Sequence, residues 1–191
     1  MLTVNSALFY IDWSDIQVDR AITSLINPPA EFIVVNGKQA HSVGIEADVY
    51  FRPSNDWDVV LGGSLANAQY DNGTIDSSTN GLGFPLRGQR LPSSPPLLLN
   101  ASVEKRFVVV DGIQAYLRGE YNYRGNSFGD VPNTIAAPGA DLRSGESENL
   151  NFRVGLRSDI WELQAFVTNV TDRYQSTFTT NGRRPSPIFT P

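Results

Sequence analysis

Hydrophobic and polar residues alternate along residues 112–124. The odd-numbered positions from Ile113 to Tyr123 are mostly apolar, and the even-numbered positions from Gln114 to Arg124 are mostly polar or charged. Successive side chains of a β-strand point to opposite faces. The segment is therefore predicted to be a strand with one apolar face and one strongly polar face.

The same alternation recurs along the chain and predicts seven strands. They cover residues 3–13, 42–52, 57–70, 97–106, 112–124, 149–157 and 161–169. Residues 42–52 give the clearest pattern, with Val43, Ile45 and Phe51 among the apolar positions. For residues 3–13 we predict one face carrying Ala7, Phe9, Ile11 and Trp13, and an opposite face carrying Ser6, Tyr10 and Asp12.

Short and long connections alternate between these strands. Residues 53–56, 110–112 and 158–160 are turn-rich links suited to hairpins. The other three connections, each about 25 residues, are longer than most loops within compact soluble domains. They cover residues 14–41, 71–96 and 125–148. Short turns at one end and long loops at the other are typical of outer-membrane β-barrels.

Aromatic residues mark both ends of the predicted strands. Trp57 and Trp161 each follow a short turn, where indole rings would lie at the level of the lipid headgroups. Tyr70, Tyr121 and Tyr123 are predicted to form a second belt at the opposite interface.

Composition narrows the possible functions. The chain has 191 residues, a net charge of −5 and no cysteine. An acidic chain without a basic stripe predicts no nucleic-acid partner, and the missing thiols rule out disulfides and thiolate metal sites. No apolar run approaches the ~18–20 residues of a membrane-spanning helix. The first residues already have the pattern of a strand, not of a secretory signal, so we expect the chain to be part of a longer protein.

Two groups of side chains have residue types that occur in catalytic sites. His41 is the single histidine and has no evident orienting carboxylate in the sequence, so we interpret it as a solvated residue at a loop edge. Glu46 and Asp48 share one strand face at roughly 6–7 Å, a spacing that overlaps that of glycosidase carboxylates. Alternation favours a water-facing wall instead, with Arg52, Arg106 and Arg118 among the compensating charges.

These considerations predict that the chain is not an enzyme. No catalytic, cofactor-binding or metal-binding residue is predicted, no cofactor is expected, and the substrate-binding residues stay unassigned.

Four segments resemble the barrel of TonB-dependent outer-membrane receptors. Residues 36–47 resemble a loop that leads into a Gly-x-Glu strand, and residues 87–95 resemble the segment Gly-x-Arg-Leu-Pro-x-x-Pro. Residues 166–174 resemble an Asn-Leu-Thr-Asp-x-x-Tyr motif, and residues 9–17 resemble an earlier barrel strand. Their order matches that of the family and spans most of the chain.

The resemblance implies a 22-stranded barrel closed by a plug, which imports siderophores or other scarce nutrients with energy supplied through TonB–ExbB–ExbD. We therefore expect residues 1–191 to form the C-terminal part of such a barrel, without the plug and the final strand. The expected fold is an all-β, antiparallel transmembrane barrel fragment of about seven strands in the bacterial outer membrane. Its expected partners are outer-membrane lipid, the remainder of the barrel with its plug, the TonB complex and a small nutrient ligand.

Two alternatives remain open from the residues alone. The first is a passive porin-like channel, which would need no plug. The second is a soluble β-sandwich that serves as a carbohydrate-binding or adhesion module, with one buried face on each strand.

Overall fold

The computed structural model describes residues 1–22, 31–36, 39–72, 74–76, 83–85, 87–128 and 143–174. Among these residues the regular structure is β-strand, and no helix is long and apolar enough to span a membrane. The strands are β1 (Leu2–Ser14), β2 (Gln17–Ile22), β3 (Glu31–Asn36), β4 (Gln39–Phe51), β5 (Trp57–Asn72), β6 (Thr74–Asp76), β7 (Gly83–Pro85), β8 (Leu97–Val110), β9 (Ile113–Arg124), β10 (Ser127–Phe128), β11 (Arg143–Ser144), β12 (Ser147–Ser158) and β13 (Glu162–Val167).

Seven long strands form one antiparallel sheet in the order β1-β4-β5-β8-β9-β12-β13. Each corresponds to one of the seven strands predicted from the alternation, so the fold prediction is confirmed. The three short turns also lie where they were predicted. The tightest of them consists of Asp111 and Gly112 between β8 and β9, and Gly112 has a φ of +79°, a conformation that glycine adopts without strain.

The long connections contain structure that the sequence analysis did not assign. β2 pairs with β3, β6 with β7 and β10 with β11, each as an antiparallel pair at the end of the sheet opposite the short turns. The described parts of the long connections therefore extend the sheet as three hairpins.

Strand pairing divides the side chains between two faces, because directly opposed residues of antiparallel strands lie on the same side. We call them the apolar face and the polar face. The main members of the apolar face are Leu8, Val43, Ile45, Val49, Phe51, Trp57, Leu61, Leu65, Leu99, Val103, Leu117, Phe152, Val154, Leu163 and Val167. The main members of the polar face are Glu46, Asp48, Asp58, Ser64, Asn100, Glu104, Arg106, Tyr116, Arg118, Glu120, Asn151, Arg153, Arg157, Glu162 and Gln164.

No second layer of described residues covers the apolar face. The exposed fractions of Val43, Ile45 and Phe51 are 45%, 42% and 42%. Side chains of this type in a sandwich core would be almost completely buried. The described residues therefore do not form a closed β-sandwich, and their apolar face is uncovered.

The two predicted sets of β1 residues do lie on opposite faces, but the set with more apolar residues lies on the polar face of the sheet. Leu8 is paired with Ile45 of β4 and belongs to the apolar face, whereas Phe9 is paired with Gly44 and belongs to the polar face. The predicted apolar set of Ala7, Phe9, Ile11 and Trp13 thus faces the same side as Glu46. Both alternate sets of β1 contain large apolar residues, and only the register with β4 distinguishes them.

A small buried cluster lies on the polar face at the end that carries the long connections. Ala40, Tyr70 and Leu91 pack together, with Trp13 and Ala68 against them. Tyr70 is fully buried and cannot belong to an interfacial belt, which corrects that prediction. Tyr121 and Tyr123 lie on the apolar face as predicted, and the exposed Tyr10 lies on the same face.

Candidate functional site on the polar face

Ion pairs link neighbouring strands on the polar face near the short turns. Arg52 donates from Nε to Asp58 Oδ1 at 2.5 Å, and Arg106 donates to the other oxygen of the same carboxylate. Arg106 also bonds to Glu104 Oε1 at 3.0 Å and to the Asn55 carbonyl oxygen at 2.9 Å. These contacts join β5, β8 and the turn between β4 and β5, which contains Arg52 and Asn55.

The series of charges continues onto β9 and β12. Arg118 Nη1 lies 3.5 Å from Glu104 Oε2, and Arg118 Nε donates to Glu120 Oε1 at 2.8 Å. Arg153 of β12 is directly opposite Arg118 in the register. Single exposed ion pairs contribute little stability, about 0–1 kcal/mol each. The shared carboxylates therefore act mainly by fixing the spacing and orientation of the charged groups.

Tyr116 is at the centre of a second group of polar contacts on the polar face. It is directly opposite Gly155, and its hydroxyl donates to Glu162 Oε1 at 2.8 Å and lies 3.2 Å from Gln164 Oε1. Arg157 bonds to both oxygens of Glu162 at 3.2 Å, with its guanidinium carbon 5.3 Å from the centre of the Tyr116 ring. One tyrosine thus spans from β9 across β12 to β13.

A segment that we call the strap, residues 88–96, lies beside β5 at the end of the sheet opposite the short turns. The backbone N–H groups of Tyr70 and Leu91 donate to Gln89 and Ala68 carbonyls at 2.9 and 3.0 Å, so the strap continues the sheet beside β5. The Ser93 N–H donates to the Phe128 carbonyl at 2.7 Å, which links the strap to β10. The strap brings Leu91 into the buried cluster.

The environment of His41 differs from the predicted one. It is the third residue of β4, its side chain is 17% exposed, and Nδ1 lies 2.5 Å from Asp71 Oδ1. Its ring also stacks on Tyr10, with 5.9 Å between ring centres. The interpretation as a solvated histidine without a carboxylate partner was wrong, because the partner lies on the adjacent strand. Ser42, the neighbouring hydroxyl, lies on the opposite face, so the two do not form a nucleophile–base pair.

Glu46 and Asp48 lie on the polar face as predicted, but the predicted compensation was wrong. Arg52, Arg106 and Arg118 pair with carboxylates on β5, β8 and β9 instead. In the part of the chain that the structure describes, no cluster of three or more His, Cys, Asp or Glu side chains could hold a metal ion. The site is a charged wall, and its arrangement suits contact with water and polar solutes.

The model of the family described as TonB dependent receptor-like, beta-barrel, matches residues 1–170. The chain belongs to this family. The resemblance recognised from the four sequence segments is thereby confirmed, and TonB-dependent receptors are transport receptors, not enzymes.

Solved structures show the same fold. The ferric yersiniabactin uptake receptor FyuA from Yersinia pestis matches 95% of this chain with a TM-score of 0.68 and 20% identity. The ferric-catecholate import receptor Fiu from E. coli K12 matches 93% with a TM-score of 0.62 and 17% identity. The siderophore receptor PiuA from Acinetobacter baumannii matches 93% with a TM-score of 0.63 and 15% identity.

This TonB-dependent receptor chain spans about a quarter of the length of those structures, since it covers 24%, 22% and 23% of them. The comparison with curated proteins finds no match.

Two of the four segments that resemble the family, residues 36–47 and 166–174, contain residues that shape the backbone. Gly44 leaves space for Phe9, because a Cβ at that position would lie 2.5 Å from the Phe9 ring. In the last segment, Asn169 has a φ of +50° and its N–H donates to Asn151 Oδ1 at 3.0 Å, which turns the chain after β13.

The contact of Tyr116 with Gly155 and Glu162 was not predicted from the sequence. The available signal was Gly155 at a polar-face position of its strand, where the absence of a side chain leaves room for a ring on the neighbouring strand.

Proposed function

We propose that this chain is part of the barrel wall of an outer-membrane receptor that actively takes up a scarce nutrient. Residues 1–191 would belong to one barrel domain, with the apolar face toward lipid and the polar face toward the lumen. The exposed apolar face supports this orientation, since it has the composition that hydrocarbon requires. Trp57 and Trp161 at the short-turn end and Tyr121 and Tyr123 toward the other end fit two interfacial belts.

A siderophore-like ferric complex is the proposed ligand class. Of the structures compared above, two are named as uptake or import receptors for ferric complexes and one as a siderophore receptor, which supports the class but not one compound. Energy would come from TonB with ExbB–ExbD, acting on a plug domain inside the complete barrel.

The wall contributes shape and charge to this process. A series of ion pairs holds six charged side chains at fixed positions on one water-facing surface. In order, they are Arg52, Asp58, Arg106, Glu104, Arg118 and Glu120. The hairpins β2–β3, β6–β7 and β10–β11 extend from the opposite end, where an incoming ligand would first meet the receptor. No chemical conversion of the ligand is part of this proposal.

The division of the seven-stranded sheet into an uncovered apolar face and an ion-paired polar face carries the proposal. The test compares cells with and without the gene of the complete receptor, under iron limitation, by their uptake of radiolabelled ferric siderophores. We expect uptake that requires the gene, is abolished by a protonophore and is lost in a tonB deletion.

A passive porin-like channel makes the opposite prediction. Diffusion through an open lumen requires neither the proton-motive force nor TonB. Gene-dependent uptake that persists with a protonophore and without TonB would replace the active-transport proposal with the channel.

A further inference from the structure

A hollow of about 900 Å³ lies on the apolar face, between the short-turn end and the middle of the sheet. Its lining includes the large side chains of Phe107, Phe152 and Val154 and the small residues Gly119 and Ala165. From the level of Ala115, which is opposite Phe107, to Gly119, which is opposite Phe152, the hollow extends about 14 Å along the strand. That length corresponds to about one leaflet of the ~25 Å apolar band of an outer-membrane barrel.

A charged pair lies where the β5 side of this hollow meets the turn between β4 and β5. Lys105 occupies an apolar-face position opposite Trp57, and its Nζ lies 4.9 Å from the centre of the Trp57 ring and 5.6 Å from that of Phe107. The same ammonium forms an ion pair with Asp56 in the adjacent turn. The ammonium therefore lies where the apolar lining ends and the turn begins.

We propose that the hollow binds one glycerophospholipid with an amine-bearing headgroup from the leaflet at the short-turn end. One acyl chain would fill the hollow, and the phosphate would contact Lys105. An ammonium has three N–H donors, so Lys105 can bind a phosphate oxygen while one donor remains on Asp56. Asp56 is 43% exposed and would attract the amine of the headgroup, so the Lys105–Asp56 pair matches the two charges of such a lipid.

The geometry favours a lipid over a protein occupant. The lining of the hollow is almost wholly apolar. Arg118 and Arg153 are also among its lining residues, but the register places them on the polar face. Lys105 lines the hollow from the apolar face, and it pairs with Asp56 at one side of the hollow. A long hydrocarbon chain with one zwitterionic end has the same distribution of apolar and charged groups. This inference rests on the proposed membrane orientation of the sheet.

The test uses the complete receptor that contains this chain, purified from outer membranes, with dipalmitoyl phosphatidylethanolamine as the added probe. Native mass spectrometry counts the lipids that the receptor retains as the probe concentration rises. Ala165→Phe fills the hollow and should weaken retention by about tenfold or more, since several methylene groups lose their contacts. Lys105→Met keeps an apolar stem without the charge and should weaken retention about fivefold, the contribution of one basic side chain at a lipid surface.

Ala47→Phe is the matched control, because Ala47 lies on the apolar face of β4, outside the hollow. Heat-modifiable migration in gels shows whether each variant still forms a barrel. Retention that is unchanged in a folded Ala165→Phe receptor, or equally reduced in Ala47→Phe, overturns the lipid site while the membrane orientation stands. A receptor that does not fractionate with the outer membrane overturns both proposals.

Discussion

The ring of Tyr116 lies over Gly155, its direct partner on β12. A Cβ added to Gly155 would lie 2.5 Å from Tyr116 Cζ, well inside van der Waals contact. Phe9 and Gly44 repeat this arrangement on the same polar face between β1 and β4. In both pairs a glycine allows an aromatic ring to cover the neighbouring strand, and the position of Tyr116 lets its hydroxyl reach Glu162 on the strand beyond.

Gly155→Ala should destabilise the receptor by about 1–3 kcal/mol, because the new methyl group displaces the Tyr116 ring and its bond to Glu162. Urea unfolding in detergent micelles, followed by tryptophan fluorescence, measures the change. Gly119→Ala is the control, since its Cβ would lie at an ordinary 3.4 Å from Phe152 and should cost less than about 0.5 kcal/mol. Tyr116→Leu removes the obstructing ring. In that background the cost of Gly155→Ala should fall, and a cost that stays the same refutes the steric explanation.

Asp58 accepts hydrogen bonds from both Arg52 and Arg106. Its negative charge should therefore contribute more to the stability of the fold than the charge of an isolated surface carboxylate. Asp58→Asn keeps the size of the side chain but removes the carboxylate partner of Arg52 and one of the two carboxylate partners of Arg106. It should cost about 1–2 kcal/mol of unfolding free energy, the upper range for two exposed ion pairs. Glu46→Gln is the matched control on the same face, because Glu46 forms no ion pair within the part of the chain that the structure describes. High salt should reduce the difference between the two variants by screening the exposed part of the network. Equal costs for both substitutions at low salt would contradict a special role of Asp58.

Two neighbouring valines test which face meets lipid. Val49 of β4 is opposite Leu61 on the apolar face. The next pair in the same register consists of Tyr50 and Val60 of β5, and both lie on the polar face. Val49→Arg should cost about 2–4 kcal/mol in a bilayer if it lies near the midplane, and Val60→Arg should cost much less because it faces the lumen. Reversible unfolding of the receptor in phospholipid vesicles compares the two. A larger cost at Val60 would reverse the assignment of the faces.

Alternation alone identified the long strands and the short turns, because one side of each strand requires an apolar environment and the other requires water. It could not assign the faces of β1, where Leu8 and Phe9 are adjacent, both large and both apolar. The register with β4 decides between them, and it places the Phe9 ring beside Gly44, where a Cβ would clash with the ring and with the Leu65 carbonyl oxygen.

Long-range pairing also explains what the sequence did not reveal about the site. His41 and Asp71 are 30 residues apart and meet because β4 and β5 are neighbours. Arg52 was expected to compensate Glu46 or Asp48 on its own strand, but its side chain reaches Asp58 across the turn. Such choices depend on side-chain geometry between strands, which a one-dimensional pattern does not contain.

The isolated 191-residue chain should aggregate in the absence of detergent. In the part of the chain that the structure describes, β1 pairs only with β4 and β13 only with β12, so each has an edge with unpaired N–H and C=O groups. Unpaired strand edges promote association between chains, and the exposed apolar face adds a second attractive surface. Refolding the chain by dilution from urea and measuring sedimentation velocity tests this expectation, with detergent micelles as the comparison. A monodisperse monomer in plain buffer that unfolds cooperatively on heating would mean that the apolar face does not need a membrane.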